Sequence, residues 1–155
     1  MPTDYQMYID GVWCESTSGL RNAVVSPANG EVIGTIPEGT AADVDRAVAA
    51  AESAGRVWAR KSAFERGALL ERAAQVILER RDDLARIASL EEGKPLQAEA
   101  YAEVDDVVAY FRMAAAEAQR IDGIIPPSID ANKRVLLQRV PRGVETSTVS
   151  PLSLP

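Results

Sequence analysis

The sequence predicts an α+β fold in which short strands come first, helices follow and an extended segment comes last. Between residues 6 and 36, short apolar runs alternate with turn residues, a pattern typical of strands. From residue 40 to about residue 121, apolar residues recur every three or four positions, which is typical of amphipathic helices. Residues 134–140, RVLLQRV, again have the composition of a strand.

Composition places the chain among globular proteins and excludes several classes. The 155 residues are 46% hydrophobic and 26% charged, with a net charge of -6, which favours a folded core over disorder. Lysine and arginine are interleaved with acids, so we expect no nucleic-acid partner. We also expect no membrane partner, because no apolar run approaches the ~18 residues of a membrane span. The N-terminus lacks the features of a secretory signal, and one cysteine, Cys14, fits a reducing cytoplasm.

The residue inventory also removes several kinds of catalytic site. The sequence contains no histidine, so it has neither a Ser-His or Cys-His pair nor an imidazole metal ligand, and we expect no metal site. Neither common glycine-rich phosphate loop, G-x-G-x-x-G or G-x-x-x-x-G-K-[ST], occurs. Cys14 follows the first predicted turn without an activating base nearby in sequence, which favours a structural role over that of a nucleophile.

Two turns organise the predicted strands. The first, Asp10-Gly11, is a strong short hairpin signal. The second, PANG, ends in Gly30, which suits a turn position with positive φ. The strands predicted on either side are residues 7–9 with 12–13, and residues 23–25 with 32–36. We expect them to form a small meander that covers one edge of the core.

The first predicted helix begins at Thr40. Thr40 followed by Asp43 resembles a capping box and places an acid in the first turn, where it interacts favourably with the helix dipole. An alanine-rich run continues to about Ala54, and we expect the helix to end there, before Gly55.

The second predicted helix begins at a full capping box formed by Ser62 and Glu65. Its apolar period is interrupted at residues 80–83, where we expect a break or kink. Gly93 and Pro95 then predict a stop.

The third predicted helix, from about residue 96 to residue 121, has the most regular apolar seam. Packing within the fold and a coiled coil with another chain both fit such a seam, but its short length and small residues favour packing within the fold. The seam consists of Tyr101, Val104, Val108, Phe111, Ala115 and Ala118.

After the third helix, residues 134–140 are predicted to form a strand, and PRG at 141–143 to bend the chain into a second strand from Val144. Pro141 cannot donate a ladder hydrogen bond, so this ribbon must be an edge or a bend at that point. An exposed edge of this kind tends to pair with another strand.

Four segments together resemble the NAD(P)-dependent aldehyde dehydrogenase family. They are YIDGVW, VSPANGEVIGTIP, EEGKP at 91–95 and KRVLLQRVPRGV at 133–144, and they occur in the family's order and spacing. The run from ERGALLERAAQ to EEGKP is most similar to semialdehyde dehydrogenases such as the succinate-semialdehyde type. The resemblance implies the α/β fold of the family, of which this chain corresponds to the N-terminal third.

The resemblance also divides the chain. Residues 1–132 correspond to the N-terminal strand and helical part of the cofactor-binding domain. Residues 133–149 correspond to a β-ribbon that projects into a partner subunit in the family, so we expect self-association through this segment. Residues 150–155 correspond to the start of the nucleotide-binding core.

In the family, the ribbon leads to a T-P-W-N-[FY]-P motif near the active site. Ser153 stands at the position of the motif's asparagine, which supplies an amide to the oxyanion hole, and a hydroxyl reaches less far than a carboxamide. By motif position alone, the resemblance assigns cofactor contacts to Ser150, Pro151 and Leu152, the last of which replaces the tryptophan. No catalytic residue of the family is therefore intact at this end.

The family's chemistry uses a cysteine nucleophile, a glutamate base that activates water, and NAD or NADP as hydride acceptor. This chain contains none of the segments that carry the cysteine, the glutamate and the cofactor loop in the family. We therefore expect it to be inactive alone and to bind neither cofactor well. An aldehyde would then be a substrate only of the full-length enzyme. A second interpretation is a non-enzymatic helical and ribbon module that binds dehydrogenase subunits or another partner.

Overall fold

The computed structural model describes residues 3–147 of the chain. Four α-helices and five short strands give the predicted α+β order, and no helix within these residues is long and apolar enough to cross a bilayer. The strands are β1 (Thr3–Asp4), β2 (Met7–Ile9), β3 (Val12–Cys14), β4 (Arg21–Val25) and β5 (Val32–Pro37). The helices are α1 (Ala41–Arg60), α2 (Ala63–Glu79), α3 (Arg81–Glu92) and α4 (Tyr101–Ala118), with a π-helical turn at Leu96–Ala100.

The strands form two sheets instead of the single meander expected. β2 and β3 make the predicted hairpin, with Asp10 and Gly11 at φ values of 53° and 77° in its turn. β4 pairs antiparallel with β5, and β1 adds in parallel on the other side of β5. A Cβ at Gly34 would lie 2.7 Å from the carbonyl oxygen of Thr3, so the glycine allows β1 to approach β5 closely.

α1 begins where predicted but is longer. The Thr40 hydroxyl accepts from the Asp43 amide at 3.3 Å, and the Asp43 carboxylate accepts from the Thr40 amide at 2.9 Å. The predicted end at Ala54 is wrong, because the helix continues through Gly55 to Arg60. A glycine in an exposed helix costs only about 1 kcal/mol relative to alanine, and its alanine-rich flank tolerates that cost.

α2 and α3 confirm the predicted cap, break and stop. Ser62 caps α2 by accepting from the Glu65 amide. Arg80 separates the two helices at φ -105° and ψ 16°, outside the helical region, which is the break expected in residues 80–83. α3 ends at Gly93, whose left-handed φ of 71° is a common helix stop.

The core forms where α4 packs against α2 and α3. The seam of α4 buries Val104, Val108, Ala115 and Ala118 within the chain, so the predicted intramolecular packing is confirmed. A Cβ at Gly67 of α2 would lie 2.9 Å from a carbonyl oxygen of α4, which shows how closely the two backbones approach. The predicted start near residue 96 is correct, although the first turn is π-helical and α4 ends at Ala118.

The ribbon predicted at residues 133–149 is present in residues 133–147 only as one antiparallel bridge. The amide of Ile124 donates to the Leu137 carbonyl at 3.0 Å, and the Leu137 amide donates back at 2.8 Å. No strand of the described residues lies beside the segment that follows, and Pro141 lacks the donor a ladder needs. The last two ribbon residues, 148 and 149, lie outside the described residues.

Candidate functional site

The site residues predicted from the sequence, Ser150, Pro151, Leu152 and Ser153, all lie outside the described residues 3–147. The structure therefore describes only the segment that leads to them. That segment, residues 138–145, is exposed and forms one wall of a groove whose other walls are helices.

The groove is open and has an apolar floor. Its other walls are the C-terminal half of α1, the start of α2 and the end of α4, and it encloses about 1590 Å³. Trp58 of α1, 40% exposed, and Leu70 of α2 line the groove on the helix side. Val140 and Val144 line it on the side of the segment. Small residues fill most of the remaining helix surface: Ala51, Gly55, Ala59, Ala114 and Ala118.

Charged side chains line the rim of the groove with a positive excess. Five are arginines and three are glutamates, although the whole chain carries -6. Within residues 3–147, neither Arg66 nor Arg139 has a carboxylate partner, and Arg66 donates instead to the Lys61 carbonyl at 2.6 Å. The remaining charges form ion pairs: Arg56–Glu52 at 2.7 Å, Arg120–Glu117 at 3.0 Å and Arg142–Glu145 at 3.1 Å.

A buried polar cluster around Asp43 fixes the start of α1 to the strand region, and we call it the Asp43 clasp. Asp43 is 2% exposed. Its carboxylate accepts from the Ser16 hydroxyl at 2.6 Å, the Thr40 amide at 2.9 Å and the Arg46 guanidinium at 2.7 Å. The Thr17 amide donates at 3.2 Å.

The hydrogen bond from Ser16 is the largest cause that lowers the pKa of Asp43 far below its usual range, against the opposing effect of burial. The carboxylate is therefore ionised at neutral pH and its acceptor positions are occupied. This arrangement suits a structural clasp and leaves no free base. Sequence reasoning identified Thr40 but missed Ser16 and Arg46. Only the fold brings Ser16, in the loop after β3, to the helix, whereas Arg46 follows Asp43 by three residues on the same helix and could have been found from that spacing.

Cys14 is not part of the groove. It is half-buried at the end of β3 and lines a separate cavity of about 510 Å³ between the hairpin and α1, beside Arg46. The structure thus does not bring Cys14 to residues 138–145. Across the described part of the chain, no group of three or more Cys, Asp or Glu residues is placed to hold a metal ion.

Two of the segments that carry the family resemblance meet in the structure. A Cβ at Gly93 of EEGKP would lie 2.9 Å from Pro27 of VSPANGEVIGTIP, so the turn and the helix end are in contact. Lys94 pairs with Glu103 of α4 at 2.5 Å and with Glu92, and the hydrogen bond from Lys94 to Glu103 is the main cause that raises the pKa of Lys94. These contacts hold the end of α3 against α4.

The fold and these contacts define a class of protein. The model of the aldehyde dehydrogenase family matches residues 13–152. The chain belongs to the aldehyde dehydrogenase family, and the resemblance carried by the four segments is confirmed.

Individual relatives match over nearly the whole chain. A 3-sulfolactaldehyde dehydrogenase of Pseudomonas putida is 41% identical over 150 residues, which are 97% of this chain and 30% of that enzyme. The solved succinate-semialdehyde dehydrogenase of Burkholderia pseudomallei superposes with a TM-score of 0.81 at 40% identity, over 85% of this chain and 27% of its own. The solved NAD-dependent aldehyde dehydrogenase of Sinorhizobium meliloti superposes with a TM-score of 0.81 at 39% identity, over 88% of this chain and 28% of its own.

The chain therefore spans about 30% of the length of the curated relatives it matches. This share fits the N-terminal third expected from the order of the segments. The relatives include several semialdehyde dehydrogenases, as the sequence predicted. The alternative of a non-enzymatic module receives no support from these comparisons.

Proposed function

We propose that this chain supplies the N-terminal strands and helices of an aldehyde dehydrogenase. In this proposal the complete enzyme oxidises an aldehyde or semialdehyde to the carboxylic acid, with NAD or NADP as acceptor, in the cytoplasm. The single observation that carries the proposal is the match of 97% of the chain, at 41% identity, to 30% of one relative. The free thiol of Cys14 agrees with a reducing compartment.

We also propose that the 155-residue chain neither catalyses this reaction nor holds the cofactor by itself. A helix N-terminus is a common binding site for a dinucleotide's phosphates, and it serves best when it is free of negative charge. Within residues 3–147, however, α1, α2 and α3 each carry an acid in the first turn, and the carboxylates of Asp43 and Glu65 already bond the amides of their N-caps. The helix ends of this chain therefore do not fit the cofactor, and its one cysteine lies in a different cavity from residues 138–145.

A chimera tests the proposed function. Residues 3–147 replace the matching part of the succinate-semialdehyde dehydrogenase of Burkholderia pseudomallei, and reduction of NAD and NADP by succinic semialdehyde is followed. We expect the chimera to turn over and the isolated chain to remain at the blank rate. A chimera that forms the parent's oligomer but is inactive would contradict the proposed function. Turnover by the isolated chain would contradict the second proposal.

We further propose that residues 133–149 pair with a second copy of the chain. Residues 138–147 make no main-chain hydrogen bonds to other described residues, and unpaired extended backbone favours strand addition. Leu136, Leu137 and Val140 are also largely exposed.

Leu137→Lys tests this pairing by sedimentation, because it places a charge on the exposed side chain and keeps the main-chain bridge. We expect weaker self-association with unchanged helical content. Ile129→Lys, in the exposed preceding loop, is the matched control. Equal association of both variants would contradict the proposal, and so would a loss of helical signal in Leu137→Lys.

A further inference from the structure

We infer that the groove between α1, α2, α4 and residues 138–145 is the docking site of an acidic amphipathic helix. The helix is taken to come from the remainder of the dehydrogenase polypeptide, so the inference rests on the proposed function. It deepens that function by naming the surface of this chain that joins it to the rest of the enzyme, and the chemistry of the contact.

The shape of the groove fits a helix. Helices form three of its walls, and the small side chains of Ala51, Gly55 and Ala114 leave room for another backbone to approach. Ten residues of α-helix are about 15 Å long and 10–12 Å wide, which corresponds to a volume of roughly 1,200–1,700 Å³. The groove, at about 1590 Å³, holds such a segment. Trp58 and Leu70 offer it an apolar floor, as in other helix-in-groove complexes.

The charges of the groove select an acidic helix. Three of the five rim arginines are already paired within the chain, whereas Arg66 and Arg139 have no carboxylate partner among residues 3–147. Carboxylates on the polar face of a docking helix would complete these two pairs, and charge complementarity of this kind selects one partner over another. A basic helix with the same apolar stripe would instead meet a net positive rim.

The source of the helix follows from the lengths of the relatives. The chain superposes at a TM-score of 0.81 on only 27–28% of each solved chain, so most of each related protein lies outside the matched region. A second copy of this chain is the competing occupant. It is tested below, because its docking would make stability depend on protein concentration.

The first test compares one substitution in two contexts. A Cβ at Gly55 meets nothing within 4 Å, so Gly55→Leu leaves the isolated fold intact and places a side chain in the groove. In the isolated chain we expect Tm to rise by about 2–4 °C, since leucine is the better helix former. In the chimera described above we expect Tm to fall. Ala54→Leu, exposed on the same helix but outside the groove, is the control and should shift Tm equally in both contexts.

The second test needs no chimera. A synthetic 18-residue helix with a leucine stripe and a glutamate polar face is titrated into the isolated chain while tryptophan fluorescence is followed, with Trp13→Phe leaving Trp58 as the only tryptophan. The same peptide with lysine in place of glutamate is the charge control. We expect saturable binding of the acidic peptide alone. Arg139→Glu should weaken it about tenfold, and Gly55→Leu should abolish it.

Each outcome bears on the docking site separately from enzyme activity. A Tm shift of the same sign in both contexts, or equal binding of the two peptides, would overturn the inference even if the chimera oxidises semialdehyde. An inactive chimera with the expected reversal of Tm would support the docking site and count against the proposed function. A concentration-dependent Tm of the isolated chain that Gly55→Leu removes would assign the groove to a second copy and overturn the inference.

Discussion

The helices α1 and α4 are similar in length and both carry an apolar stripe, but different forces hold them in place. The 18-residue α4 buries four residues of its stripe, among them Val104 and Val108, against α2 and α3. The 20-residue α1 buries one described residue, the charged Asp43. The apolar residues Val44 and Trp58 of α1 remain 56% and 40% exposed.

This difference shows that a helical period of apolar residues indicates a face that will be covered, but not which polypeptide covers it. In α4 the cover comes from the same chain, and dispersion and burial set the position of the helix. In α1 the polar Asp43 clasp sets the position at one end, and the apolar face stays open. Matched substitutions in the two helices can test each half of this comparison.

The largest expected effect comes from placing a charge in each stripe. Val108 is 4% exposed, so Val108→Asp buries an unpaired carboxylate and should lower the free energy of unfolding by about 3–5 kcal/mol. Val44→Asp, on the open face of α1, should change it by less than about 0.5 kcal/mol. Urea denaturation followed by far-UV circular dichroism measures both. Equal losses would mean that α1 is as well packed as α4.

The Asp43 clasp should give the next largest effect. Asp43→Ala leaves the Ser16 hydroxyl and the Thr40 amide without their acceptor in a buried site, so Tm should fall on the order of 5 °C. Asp45→Ala removes an exposed acid two residues further along α1 and should leave Tm nearly unchanged. Differential scanning calorimetry compares the two. A similar small shift in both would show that the clasp does not hold α1.

The clasp also predicts a direction for the pH dependence. The pKa of Asp43 is lowered in the fold, so the ionised carboxylate stabilises the folded state above its unfolded pKa of about 3.9. That contribution is lost as the pH falls through the folded value. The stability difference between the wild type and Asp43→Asn should therefore be full above about pH 5 and shrink towards pH 2. Urea midpoints measured across this range would contradict the prediction if the difference grew on acidification.

The two helical glycines give the smallest effects, with opposite signs. Gly67→Ala puts a Cβ at 2.9 Å from the Ala115 carbonyl oxygen and should destabilise the fold by about 1–2 kcal/mol. Gly55→Ala meets no atom within 4 Å and should stabilise it by up to about 1 kcal/mol. Chemical denaturation of the pair would contradict the comparison if both changes had the same sign.

Local features of the helices were predictable from the sequence. The capping boxes at Thr40 and Ser62, the break before α3 and the seam of α4 all depend on residues within one or two turns of each other, so their spacing is visible in the chain. The end of α1 at Arg60 was not predictable, because Gly55 suggested an earlier end. Helix continuation there depends on the summed propensity of its neighbours, which outweighs one glycine.

Features that join distant segments could not be predicted from the sequence. The parallel pairing of β1 with β5 joins residues about thirty positions apart, and the acceptor role of Asp43 for Ser16 spans 27 positions. The groove is built from four separate segments, so no motif marks it. The strand predicted at residues 134–140 has the right composition, but a strand also needs a neighbour. The assignments to Ser150 and Ser153 remain predictions.

The bridge between Ile124 and Leu137 has a consequence for motion. Its two hydrogen bonds, at 3.0 and 2.8 Å, close a twelve-residue loop. The bridge is isolated, so no neighbouring ladder hydrogen bonds hold the two segments together when it opens. A single local opening therefore exposes both amides to solvent at once. The hydrogen-exchange rates of the two amides should change together with temperature and denaturant. Both amides should be far less protected from exchange than the amides in α4.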